Sequence, residues 1–163
     1  MSLIWKSITG LALTAALSAP AGAQGVVTEK NVSLALAQTI AQAALEKCVS
    51  MGFKVSVVVI DRDGLQVVML RGDGAGLHTP EGADRKAYTA RTYRSPSANF
   101  AKRVQDEPAY APATQYTRVL ALAGGLPIKA GNDVIGAVGI SGSPGKDDEC
   151  GQAGLDKAVD QLK

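Results

Sequence analysis

The sequence predicts an α+β fold, a single-domain sandwich whose central, mostly antiparallel five-stranded sheet is flanked by helices. Three observations predict it. Helical segments stand at both ends of the domain, Ser33 to Ser50 and Asp147 to Leu162. Between them, KVSVVVI and LQVVMLR are joined by Asp61-Arg62-Asp63-Gly64, which makes them a hairpin. Three more extended stretches follow after two middle helices: Val119 to Ala123, Leu126 to Lys129, and Val134 to Ser141. Hairpin connections favour antiparallel pairing. Helices at the chain ends then cover one face of the sheet and the middle helices the other.

Each element has a local reason. Leu34, Ala37, Ala41, Leu45 and Cys48 share one helical face, and Gly52 supplies the stop. Valine and isoleucine make Lys54 to Ile60 a strand. Gly72 to Leu77 is a glycine-rich loop. Thr79 is placed to cap the next helix and Pro80 suits its first position, so the helix runs from Pro80 to about Arg94. Ser95-Pro96 breaks it, and Ser97 is placed to cap a third helix through about Val104. Asp106 to Gln115, with Pro108 and Pro112, is irregular. Pro127 cannot donate to a ladder, which puts Leu126 to Lys129 at an edge. Gly136 and Gly139 inside the last strand imply that another backbone or a ligand comes close. Asp147, Asp148 and Glu149 suit the positive N-terminal end of the final helix.

The 163 residues suit one domain. Lys6, the apolar run Ile8 to Leu17 and Ala21-Gly22-Ala23 read as a signal peptide over residues 1–23, leaving residues 24–163 as the domain. The run is too short to span a bilayer. The expected location is therefore periplasmic or secreted, with no membrane association after the leader is removed. With 17 basic and 15 acidic residues, charge gives no reason to expect a nucleic-acid partner. An oxidising compartment would permit Cys48 and Cys150 to pair, but the sequence equally allows two buried thiols. The absence of CxxC and CxxCH removes the usual sequence support for a zinc site or covalent haem.

The chemistry concentrates between Arg71 and Pro96, which hold the only histidine, His78, together with Tyr88, Tyr93 and five basic residues. HTPEGADRKAYTARTYRSPS, followed by LALAGGLPIKAGNDVIGAVGISGSPGKDDECGQAGLDKA, resembles the GlcG/HbpS family, which also includes the C-terminal domain found in some cobalamin adenosyltransferases. The resemblance spans about Ser33 to Lys163. It implies a profilin-like sandwich, homo-oligomers, and haem binding in several members, including secreted ones.

On that basis His78 is the candidate iron ligand and the only candidate metal ligand, with haem as the suspected cofactor. Arg85, Arg91 and Arg94 are candidate partners for propionates. Tyr88 or Tyr93 could stack on a porphyrin or act as a ligand, although packing in the core or an interface is the commoner role for such residues. A symmetric dimer would supply a second His78. Glu81 and Asp84 could join His78 around a metal ion, although carboxylates there more often serve the helix dipole. GISGSPG could cradle an anion but reads better as a tight strand-to-helix loop. No catalytic residue is assigned: there is no GxSxG elbow and no second histidine to build a relay. The primary expectation is an exported haem-binding protein. The alternatives are a non-catalytic oligomeric module serving a protein partner such as a sensor or an oxidoreductase, and an enzyme acting on a small molecule in the same pocket.

Overall fold

The computed structural model describes residues 25–163. The leader assigned to residues 1–23 lies outside the described residues. The chain order is α1 (Leu34–Ser50), β1 (Ser56–Asp61), β2 (Gln66–Arg71), α2 (Thr79–Tyr93), α3 (Ser97–Asp106), β3 (Gly125–Ala130), β4 (Asp133–Ser141) and α4 (Asp147–Lys157). Short 3-10 helices follow α3, at Pro108–Gln115, and α4, at Val159–Gln161. No helix among the described residues is long and apolar enough to cross a membrane.

The sheet has four strands in the order β2-β1-β4-β3, and every neighbouring pair is antiparallel. The fifth expected strand, Val119 to Ala123, does not form. Its backbone groups bond to helix side chains instead. Leu120 N–H donates to Thr89 Oγ1 at 2.8 Å, the Val119 carbonyl accepts from Arg85, and the Leu122 carbonyl accepts from Ser97 Oγ at 2.6 Å. An apolar run alone cannot distinguish a ladder from a segment bonded to side chains.

Strand alternation divides the core into two layers. Val57 and Val59 face α1 and α4, with Ile40, Ala44, Ile128 and Ile140 around them. Val58 and Ile60 face α2, packing on Ala83, Ala87 and Ala90. The α2 layer is thin because its contact residues are small. A Cβ at Gly139 would fall 2.0 Å from the Ala83 carbonyl oxygen, and one at Gly125 would fall 2.0 Å from that of Lys86. Close backbone approach, expected from the strand glycines, is therefore the reason for Gly139. On the other face, α1 and α4 approach at Gly154, where a Cβ would meet the Ile40 carbonyl oxygen at 2.5 Å.

Several local expectations shift. Ser33 caps α1 as its side chain accepts from Leu36 N–H. The buried stripe, however, runs through Leu36, Ala37, Ile40, Ala41, Ala44 and Cys48, leaving Leu34 exposed. Thr79 does not cap α2; His78 occupies the cap position without a side-chain bond. Thr79 Oγ1 donates to the Gly76 carbonyl at 2.8 Å and pairs with Ser56 Oγ at 2.8 Å, tying the helix start to β1. Ser97 likewise does not cap α3: its hydroxyl joins the Leu122 carbonyl to Gly125 N–H. In both places a longer-range partner outcompetes the local cap.

Cys48 and Cys150 form a disulfide with a sequence separation of 102 and a Cα–Cα distance of 5.5 Å. It joins α1 to α4 inside the larger core. Closing so long a loop removes much of the unfolded chain's freedom, so reducing the bridge is expected to lower stability by about 2–5 kcal/mol. Denaturant midpoints measured with and without dithiothreitol test this, and coincident curves would refute it.

Candidate functional site

Two helix starts, the end of β4 and the loop before β3 enclose a cleft of about 370 Å³. His78 stands at the start of α2, Leu122 and Ala123 come from the loop, and Ser141, Gly142, Pro144, Gly145, Asp147 and Asp148 come from the end of β4 and its turn into α4. His78 is exposed. A Cβ at Gly76 would lie 3.0 Å from its Cε1 and 3.2 Å from its Nδ1, so glycine there makes room for the imidazole ring.

The floor is a buried ion pair. Lys86 Nζ donates to Asp147 Oδ2 at 2.7 Å and to the Ile140 carbonyl at 3.1 Å. The two side chains are 7% and 10% exposed, so both charges have left bulk water. Asp147 Oδ1 also accepts from Ser143 N–H at 3.0 Å and from Ser143 Oγ at 2.7 Å. Four hydrogen bonds thus share the load, as a buried charge pair requires. Ser143 Oγ lies 3.2 Å from Cys48 Sγ, which puts the disulfide directly behind this floor. The GISGSPG turn is tied to its own carboxylate and is the tight strand-to-helix loop expected from sequence.

The other sequence candidates lie along α2 but not in the cleft. Arg85 donates to Glu81 Oε1 at 3.3 Å and to the Val119 carbonyl at 3.0 Å, while its Nε is buried with no hydrogen-bond partner among the described residues. Arg91 Nε is also buried and unbonded. Burial, and then the positive charges of Arg62 and Arg94, hold the Arg91 guanidinium below its usual range. Arg94 is exposed at the helix end with φ 53°. Tyr88 lies under the Arg118 guanidinium, 4.3 Å from its ring centroid, beside a separate groove with Thr92 and Tyr116. Tyr93 stacks on Phe100 at 4.2 Å, and burial raises its phenol.

The candidate metal partners of His78, the Glu81 and Asp84 carboxylates, are engaged elsewhere. Asp84 takes two bonds from Arg118, at 2.8 and 3.1 Å, and Glu81 pairs with Arg85. Among the described residues no group of three or more His, Cys, Asp and Glu side chains is placed to hold a metal ion. His78 and Arg91 stand at opposite ends of α2, separated by about 20 Å of helix at roughly 1.5 Å per residue. Within one chain the structure brings His78 together with Lys86, Ser141 and Asp147, and not with the arginines.

Lys86, Ser141 and Asp147 were not singled out from sequence as site residues. One signal for Lys86 was available: it shares a helical face with Ala83, Ala87 and Ala90, where a lysine must be buried or paired. Its partner is 61 residues away, which no local pattern encodes.

Residues 32–156 match the family model described as haem-degrading protein, HbpS-like. A double mutant of HbpS from Streptomyces reticuli is 34% identical, with a TM-score of 0.77 over 88% of this chain and 97% of that one. A 15.0 kDa protein from the dhaT-dhaS intergenic region of Citrobacter freundii is 32% identical over 114 residues, 69% of this chain and 80% of that one. The PduOC structure, solved as a complex with heme, shares the fold at a TM-score of 0.70 and 24% identity, over 77% and 94% of the two chains.

The ion pair generates a stability prediction. Lys86→Met leaves the Asp147 carboxylate buried without its cation and is expected to cost about 3–5 kcal/mol. Adding Asp147→Leu removes the stranded charge and should recover much of that loss. Chemical denaturation of both variants reads the difference. A single variant within about 0.5 kcal/mol of wild type would mean that water, not Lys86, compensates the carboxylate.

Proposed function

The chain belongs to the HbpS-like family of haem-degrading proteins, and we propose that it binds haem non-covalently, with the His78 imidazole as an iron ligand. The observation that carries the reading is an exposed imidazole that makes no capping hydrogen bond among the described residues, held on the edge of a cleft with an apolar wall. A porphyrin needs these parts: a nitrogen donor for the iron, apolar surface for the ring, and donors for its acid groups. Leu122, Ala123 and Pro144 would meet the ring edge. When bound, the iron supplies the capacity for redox and oxygen chemistry; the chain's own residues bind and orient it.

The cleft is small for a whole porphyrin, so much of the haem would extend beyond one chain. This favours the homo-oligomer expected from the family resemblance, with a second subunit covering the exposed part. Arg91 and Arg94 lie too far along α2 to reach the propionates of a haem held by His78 of the same chain. They, Arg85 and Tyr88 enter the proposal as residues that could meet the haem across a subunit interface. Export to the periplasm or the exterior is part of the same proposal, supported by the leader-like residues 1–23 and compatible with the Cys48–Cys150 bridge.

Titration of the purified protein with haem, followed through the Soret band, tests the reading. Wild type is expected to give a saturable shift at micromolar haem, and His78→Ala to lose at least about tenfold in affinity, the equivalent of one strong bond. No uptake by wild type would refute haem binding, and an unchanged spectrum in His78→Ala would move the ligand elsewhere. The family's description favours a second reading, in which bound haem is also broken down. Bleaching of the Soret band with ascorbate in air, faster than for free haem, would support it.

A further inference from the structure

Ser141 and Lys86 remain incompletely used by the fold. The Ser141 residue is 7% exposed, and its hydroxyl has no hydrogen-bond partner among the described residues. It points toward the first turn of α2: a Cβ at Gly82 would lie 2.7 Å from Ser141 Oγ. Lys86 Nζ has three donor protons, of which Asp147 and the Ile140 carbonyl take two. Both side chains line the cleft.

The helix ends around the cleft favour an anion. The N-terminal ends of α2 and α4 both open on this cleft; in α2 Pro80 has no N–H and the Thr79 N–H donates to the Gly76 carbonyl, so its first turn offers fewer amides than that of α4. Of the acidic residues of α4, Asp147 and Glu149 are offset by lysines, whereas Asp148, which also lines the cleft, keeps its negative charge; it is direct donation from Lys86 and Ser141 that would hold an acid group. Asp147 is held by Lys86 and Ser143, Asp148 by Gly124 N–H at 2.8 Å, and Glu149 by Lys47 and Lys146.

We propose that the floor of the cleft is a carboxylate-binding subsite, in which Lys86 and Ser141 donate to an acid group of the bound molecule while His78 faces the rest of it. Asp147 holds the ammonium in place and is not itself a ligand contact. Identifying the acid group as a haem propionate rests on the haem reading above; the subsite itself would equally take a small free carboxylate. Lys86 is then the cation of α2 that meets the acid group within one chain, in place of Arg85, Arg91 and Arg94, none of which lines the cleft.

The test compares haem with haem dimethyl ester, in which both acids are blocked, by Soret titration of three proteins: wild type, Ser141→Ala, and Lys86→Gln combined with Asp147→Asn. The paired substitution replaces the charged pair by a neutral one, and Ser141→Ala keeps the protein testable if the pair variant does not fold. Wild type should bind haem at least about tenfold more tightly than the ester, the discrimination expected of a charge-assisted hydrogen bond. That preference should fall several-fold in Ser141→Ala and approach unity in the pair variant, with the Soret position unchanged because His78 is intact. Equal wild-type affinity for haem and ester would overturn the subsite and leave haem binding standing, as would a preference undiminished in both variants. If wild type takes up neither porphyrin, the haem reading fails alone. Amide shifts on titration with acetate then decide the subsite: saturable shifts at Ser141 and Lys86 support it, and none overturns it.

Discussion

The Lys86–Asp147 pair is the contact on which the cleft side of the molecule depends. It fastens α2, which lies on one face of the sheet, to the start of α4, which lies on the other, across the end of β4. Neither charge would survive there alone. The pair persists because Ser143 and the Ile140 carbonyl complete the coordination. A buried ion pair adds little net stability compared with an apolar pair of the same shape. Its consequence is geometric. Lys86 bonds the Ile140 carbonyl and one carboxylate, and that carboxylate is in reach only when the β4–α4 turn is folded. The pair therefore fixes where the two helix starts sit relative to each other, and so fixes the shape of the cleft.

Small residues make this arrangement possible. With alanines on α2 and glycines at 125 and 139, the helix backbone lies against the strands, and the Lys86 side chain can reach past β4 to Asp147. A larger residue at Gly139 would push α2 outward and stretch the pair. The opposite face uses the same device at Gly154 and then adds the disulfide. The two faces meet behind the cleft, where Ser143 touches both Asp147 and Cys48.

Most of the fold was legible because it is written in local patterns. The hairpin was readable from valines and an Asp-Gly turn, α1 from its apolar stripe, and the helix break from Ser95-Pro96. The misplaced pieces were those in which a local signal lost to a distant partner. Val119 to Ala123 has strand composition, but Thr89, Arg85 and Ser97 bond its backbone. Thr79 and Ser97 have capping chemistry, but β1 and the loop before β3 use their hydroxyls. The site followed the same rule. His78 was readable as the single histidine beside a glycine loop. Ser141 and Asp147 were not, because their meaning depends on a lysine from another element.

That division bears on function. The arginines of α2 attracted notice because they cluster in sequence, yet a helix spreads such a cluster over several turns and several faces. Arg85 goes to a carbonyl and a carboxylate, and Arg91 toward Arg62 and Arg94 at the far end. The cation that reaches the cleft shares a face with three alanines and is almost hidden from solvent. Burial makes it the more consequential charge, since water screens a surface arginine and hardly screens Lys86. A ligand entering the cleft meets that nearly neutralised pair with one donor to spare, an unbonded serine and two helix ends of the same polarity. Opposed by the Asp148 carboxylate in the same lining, these donors are the chemical ground for the proposed acid-group subsite, whichever larger molecule carries the acid.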